Sequence, residues 1–141
     1  MNTRTITISD HAQLIEFWRG LEGVSVGFSD EREPFSRYLQ RNPNSNFLVE
    51  KSGRIIATAL AAHDGRRGML RHVAVAAEFR GQGIARALVE KCISTLALDG
   101  IQKSYIIVYS QNERGRKFWQ NLGWESSDEF SLMWLESNTP T

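Results

Sequence analysis

The spacing of apolar positions changes several times along the chain, and each change marks an element. Residues 4–8 alternate polar and apolar side chains (Arg-Thr-Ile-Thr-Ile), the period of a half-buried strand. Ser9-Asp10 then offers capping side chains to a helix running through about Trp18, with Leu14, Ile15 and Trp18 on one face. Residues 20–27 read as a loop. A second helix starts near Ser29-Asp30, with Glu31 and Glu33 in its acid-favouring first turn and Phe35, Tyr38 and Leu39 on one face, and ends before Asn42-Pro43. Two strands, 46–50 and 54–62, flank the tight turn Lys51-Ser52-Gly53, and a turn at 64–68 leads into a third, 69–75. Ile84, Leu88, Cys92 and Leu96 then form a stripe at helical spacing over 83–98, closed by Asp99-Gly100. Residues 104–109 are nearly continuous in β-forming apolar side chains, as in a strand covered on both faces. Residues 113–122 read as a helix stopped by Gly123. Residues 124–135 read as a two-stranded hairpin around Ser127-Asp128-Glu129, and 138–141 as a frayed tail.

This order of elements describes a mixed α/β layer, not a regular βα repeat. Its 141 residues suit a single domain over 1–137 followed by the tail. Hydrophobic residues at 41% and charged residues at 23% fit an ordered globular chain. Seventeen Lys and Arg against sixteen Asp and Glu give a net charge of +1, which argues against a nucleic-acid or membrane-surface binder. The lone Cys92 supplies neither a disulfide nor a thiolate zinc site, and His11, His63 and His72 lack metal-ligand spacing, so no metal is expected. The first ten residues lack the apolar core of a signal peptide, and no apolar run approaches the ~20 residues of a membrane span. A cytoplasmic setting is the expectation.

The chemistry is concentrated after the strand at 69–75. Val73-Ala74-Val75 is followed by Arg80-Gly81-Gln82-Gly83-Ile84-Ala85, a short loop with two glycines that opens a helix. Free N–H groups at a helix start attract an anion, and glycine lets the backbone approach it closely, which suits a phosphate or pyrophosphate. A P-loop needs Gly-Lys-Ser/Thr here, and a dinucleotide fingerprint needs a third glycine where Arg86 stands; both are missing. Arg80 to Ala85 instead matches Arg/Gln-x-x-Gly-x-Gly/Ala, and at this point the chain resembles the GNAT superfamily of acyl-CoA-dependent N-acetyltransferases. A second stretch, Asn112-x-x-Gly115-x-x-Phe118-Trp119-x-x-Leu122-Gly123-Trp124, is similar to that family's other signature.

The resemblance spans nearly the whole chain. It implies a central, mostly antiparallel seven-stranded sheet with about four helices, splayed between the fourth and fifth strands. It implies acetyl-CoA as cosubstrate, with its pyrophosphate on Arg80, Gly81, Gln82, Gly83, Ile84 and Ala85. Its pantetheine would pair with Val73, Ala74 and Val75, with Asn112, Phe118 and Trp119 along the other side. The six basic residues Arg66, Arg67, Arg71, Arg80, Arg86 and Lys91, against Glu78 and Glu90, suit an anionic cosubstrate.

The implied reaction is acetyl transfer to a primary amine by direct attack in a ternary complex, the acceptor being a small molecule or a peptide. A homodimer is compatible with this reading. The alternative is an acyl-CoA sensor without turnover. Trp119 stands where the family carries its acidic tyrosine, and an indole N–H is no useful proton donor to a thiolate. Tyr109, at the end of its strand, and Asp64, beside a turn glycine, are the catalytic candidates. Met69 and Arg71 occupy the positions where relatives carry a base, and strand alternation turns His72 to the opposite face. Glu31 and Glu33 lie near the acceptor region, where Phe17, Trp18, Phe28, Phe35 and Tyr38 could shape a pocket. Cys92, on the stripe with Leu88 and Leu96, reads as packing.

Overall fold

The computed structural model describes residues 1–137; the tail expected at 138–141 lies outside them. The chain divides into two compact units, Met1–Ile107 and a second from Val108 onward.

The first unit runs β1 (Asn2–Thr5), α1 (His11–Arg19), α2 (Arg32–Arg41), β2 (Phe47–Lys51), β3 (Arg54–His63), β4 (Gly68–Val75), α3 (Ile84–Leu98) and β5 (Ser104–Ile106). The strands lie in sequence order in one sheet. β1 to β4 pair antiparallel, and β5 joins β4 in parallel. The sheet is therefore mixed and five-stranded, and the expectation of seven strands is corrected. No strand forms in residues 124–137, where the last hairpin was expected. Phe130, Leu132, Met133, Trp134 and Leu135 are exposed there, so strand-forming composition is not backed by the burial that would hold a hairpin together.

β1 also stops earlier than the alternation suggests. The Asp10 carboxylate accepts the Thr7 N–H at 2.9 Å and holds the Arg4 guanidinium at 2.7 Å, bending the chain into a 3-10 turn over Ile8–Asp10. α2 begins later than expected, because Phe28–Asp30 forms its own 3-10 turn.

Helices cover both faces of the sheet. Leu14 and Trp18 of α1 and Phe35 and Leu39 of α2 pack with Ile6, Leu48 and Leu60 in one buried cluster. The neighbouring Phe47 points the other way, with Lys91 Nζ of α3 5.1 Å from its ring centre. Phe47 lies opposite Ala59, and Val49 opposite Ala57, so the fully buried alanines of β3 face α3 and let it approach closely. Leu88, Val89, Cys92 and Leu96 fill that side, close to the stripe read from the sequence.

β4 contains the irregularity that matters most. Thr58 pairs with Ala74 and Leu60 with Arg71, leaving Ala59 opposed by two residues, His72 and Val73. This is a β-bulge, and His72 sits in the left-handed region at φ 48°. Leu70 and Val75, five apart, consequently share the α3 face, while Arg71 and Ala74 share the face toward α1 and α2.

The second unit holds α4 (Glu113–Asn121). Asn112 caps it, accepting the Gly115 N–H at 2.9 Å. A Cβ on Gly115 would sit 2.5 Å from Asn112 Nδ2, so the capping side chain needs a glycine beneath it. The ring of Trp119 meets Phe118 and Trp124 edge-on, at 5.1 and 4.7 Å between centres.

Candidate functional site

Two features of the first unit converge on β4. The first follows its C-terminal end. Gly81 and Gly83 both adopt φ 79°, a conformation open to glycine and strained for other residues, and a Cβ at either would meet nothing within 4 Å. Gly83 is the N-cap of α3, and no side chain caps that end of the helix. The first amides of α3, from Ile84 and Ala85, therefore face open space beside exposed Gly81, Gln82 and Gly83. Arg80 turns back to brace the loop, its Nε donating to the Val75 carbonyl at 3.2 Å.

Beside this loop, β4 lacks a full neighbour. Its ladder with β5 covers only Gly68↔Ser104, Met69↔Tyr105 and Leu70↔Ile106, and Arg71–Val75 has no pairing with β5. Val73, Ala74 and Val75 thus leave one backbone edge open. The geometry suits an extended ligand with amide groups along β4 and an anionic end at the α3 N-terminus. Among the expected basic residues, Arg86 pairs with Glu90 at 3.0 Å, Arg67 bonds to the Tyr105 hydroxyl and Lys91 lies over Phe47.

The second feature is a cavity of about 460 Å³ on the α1/α2 side, whose walls include Asp30, Phe35, Tyr38, Leu60, Arg71 and His72. That volume falls within the usual range for small-molecule sites. Strand alternation turns His72 away from this face, but the bulge brings it in. His72 Nε2 lies 2.8 Å from Asp30 Oδ1, and Asp30 Oδ2 accepts the Gly27 N–H at 3.0 Å. Burial pushes the Asp30 carboxyl up, but the His72 and Gly27 hydrogen bonds outweigh it and hold the group below its ordinary value. His11 Nε2 contacts the Asp30 carbonyl at 2.7 Å, and the Trp18 ring stands edge-on to His72 at 4.5 Å. The Tyr38 hydroxyl donates to Asn46 Oδ1 at 2.7 Å, and burial raises its pKa.

Sequence reasoning missed the His72–Asp30 pair. One signal was available: Leu70 and Val75 are both apolar at an odd spacing, which straight alternation cannot bury on one face.

Of the two catalytic candidates, Asp64 lies elsewhere in the first unit. Asp64 Oδ1 accepts the Arg66 and Arg67 N–H groups at 2.8 and 2.9 Å, so its carboxylate closes the β3–β4 turn, and those amides hold its pKa down. His63 belongs to the same corner, with Nε2 3.0 Å from Asp99 and Nδ1 accepting the Gly65 N–H. Tyr109 is exposed in the second unit, beyond the end of β5. Asn112 is engaged as a cap, and Trp119 is buried. No cluster of metal-binding side chains occurs among the described residues. No helix among them is long and apolar enough to cross a membrane.

The chain is similar to known proteins over most of its length. The family model described as acetyltransferase (GNAT) family matches residues 12–124. An acetyltransferase of Yersinia enterocolitica is 27% identical over 132 residues, covering 94% of this chain and 93% of that protein. A Clostridium acetobutylicum acetyltransferase, whose structure contains acetyl-CoA, superposes with TM-score 0.69 at 21% identity, covering 97% of this chain and 95% of that one. Glucosamine-6-phosphate N-acetyltransferase of Arabidopsis thaliana gives 0.70 at 19% identity, covering 96% and 98%. With the family model spanning most of its length, the chain belongs to the GNAT acetyltransferase family.

Proposed function

We propose that the protein transfers an acetyl group from acetyl-CoA to a primary amine in a ternary complex, with residues 1–137 acting as one N-acetyltransferase domain. The observation that carries this reading is the uncapped α3 N-terminus beside the unpaired edge of β4. The amides from Gly81 to Ala85 bind the pyrophosphate, and Val73, Ala74 and Val75 align the pantetheine through their backbone groups. One of those N–H groups donates to the thioester oxygen as charge develops there. Asn112, Phe118 and Trp119 are assigned to the cosubstrate through family resemblance alone.

The cavity beside β4 holds the acceptor, and much of the acceleration comes from fixing amine and thioester together. A proton donor to the leaving sulfur is not required, since a thiol's ordinary pKa of about 8.5 makes the thiolate a tolerable leaving group.

Calorimetry with acetyl-CoA and with ATP, together with thiol release across an amine panel, tests the reading. Preference for acetyl-CoA and thiol release with at least one amine are expected. Binding without release on every amine would instead identify an acyl-CoA sensor.

A further inference from the structure

The cavity beside β4 contains a cation that no carboxylate among the described residues contacts directly. Arg71 lines it next to His72, yet its side chain makes no hydrogen bond or ion pair among the described residues. Asp30 is the only carboxylate among the described residues of the wall, and both its oxygens are engaged, by His72 and by the Gly27 amide. The Arg71 charge nonetheless favours the ionised form of Asp30, and at buried Tyr38 it opposes the larger effect of burial, which raises that hydroxyl's pKa. Apolar side chains from Phe35 and Leu60 form another part of the wall.

His72 supplies the second element. Its Nε2 is held by an ionised carboxylate, which fixes the hydrogen on Nε2 and leaves the lone pair on Nδ1 in the neutral ring. Nδ1 has no partner among the described residues. Asp30 on the 3-10 turn and Trp18 on α1 contact this ring, Tyr38 on α2 and Arg71 on β4 line the same cavity, and His11 on α1 contacts the Asp30 carbonyl.

Building on the acetyl-transfer reading, we propose that the acceptor is an amine carrying its own anionic group, a carboxylate or phosphate, which Arg71 binds while the nitrogen faces His72 Nδ1. An apolar substituent rests against Phe35 and Leu60. His72 takes the proton that the acceptor ammonium must lose before attack, and passes it to solvent. Attack then forms the C–N bond as the thioester C–S bond breaks, and the second N–H proton goes with the departing sulfur. Asp30 acts through His72 as a positioning residue.

The test measures acceptor binding to CoA-saturated protein by calorimetry, with thiol release recorded separately. The probes are phenylalanine, phenylalaninamide and phenethylamine, and O-phosphoethanolamine against ethanolamine. The anionic member should bind at least about tenfold more tightly than its neutral counterparts in one set, and that set tells carboxylate from phosphate. Arg71→Gln should shrink this preference to about twofold. Equal binding of charged and neutral members, no binding at all, or a preference that survives Arg71→Gln overturns the proposal. Thiol release failing while the preference persists would instead count against the transferase reading.

His72→Asn keeps a residue type tolerant of positive φ. It should lower kcat by about tenfold or more with little change in KM, and raising the pH until the free amine dominates should restore most of the loss. A loss that is the same at every pH overturns the proton-accepting role.

Discussion

Trp18 donates its indole N–H to the fully buried Thr58 hydroxyl at 3.0 Å. Thr58 passes its own hydrogen to the His72 carbonyl at 2.7 Å, so one side chain ties α1 to the bulge of β4. Thr58→Val keeps the shape but leaves the indole N–H and the His72 carbonyl unpaired. The expected cost is about 2 kcal/mol or more, read from the urea midpoint, with Thr58→Ser recovering most of it.

The loop before α3 gives a second prediction. Gly83→Asp places a carboxylate among amides otherwise open to an anion, at a left-handed backbone position that costs a non-glycine residue about 1–2 kcal/mol. Acetyl-CoA affinity should fall by about tenfold or more, with circular dichroism preserved and the unfolding midpoint lowered only by that backbone cost. Unchanged affinity by calorimetry would remove this loop from the binding site.

Close packing at the start of β4 gives a third. A Cβ on Gly68 would collide with the Ser104 hydroxyl and lie 2.8 Å from Leu96 Cδ1. Gly68→Ala should destabilise by about 1–3 kcal/mol, and adding Ser104→Gly should return part of that. Equal midpoints for Gly68→Ala and the parent would show that β5 and α3 yield at no cost.

The Arg4–Asp10 pair sets part of the acid sensitivity. The Arg4 guanidinium holds the Asp10 carboxyl below its ordinary value, with the Thr7 amide assisting and burial opposing. A carboxyl whose pKa is lower folded than unfolded stabilises the fold above the unfolded value of about 3.9, and loses that contribution as pH falls through the folded value. Asp10→Asn should therefore lower stability at pH 7 by about 1–3 kcal/mol and flatten the decline below about pH 4. Parallel stability–pH curves for the two proteins would refute this.

Cys92 offers a simple probe of the core. Burial pushes its thiol up to about 12, and its Sγ–H points to the Ser45 carbonyl at 3.6 Å. A thiol reagent at pH 8 should label native protein far more slowly than denatured protein. Comparable rates would mean that the α3 face opens readily.

Regular features were the ones legible in the sequence. The α3 stripe, the hairpin around Ser52-Gly53 and the two-glycine loop each depend on local spacing, and each forms close to where that spacing puts it. The His72–Asp30 pair joins residues 42 apart, and only the packed fold brings them together. Asp64 was read from its neighbours alone, which identify a turn but not whether its oxygens are already used. Residues 124–135 have the composition of strands, and composition without a face to bury does not make them.

At His72 the polypeptide changes sides, and every side chain downstream inherits that choice. Deleting Val73 would restore straight alternation with Ala74 and Val75 still opposite Thr58 and Ala57, and would turn His72 over to the α3 face, although His72 itself had not been altered. The length of this segment is thus as heritable a part of the site as its chemistry, and variation by insertion or deletion should be far less tolerated here than in the exposed turn at Gly65.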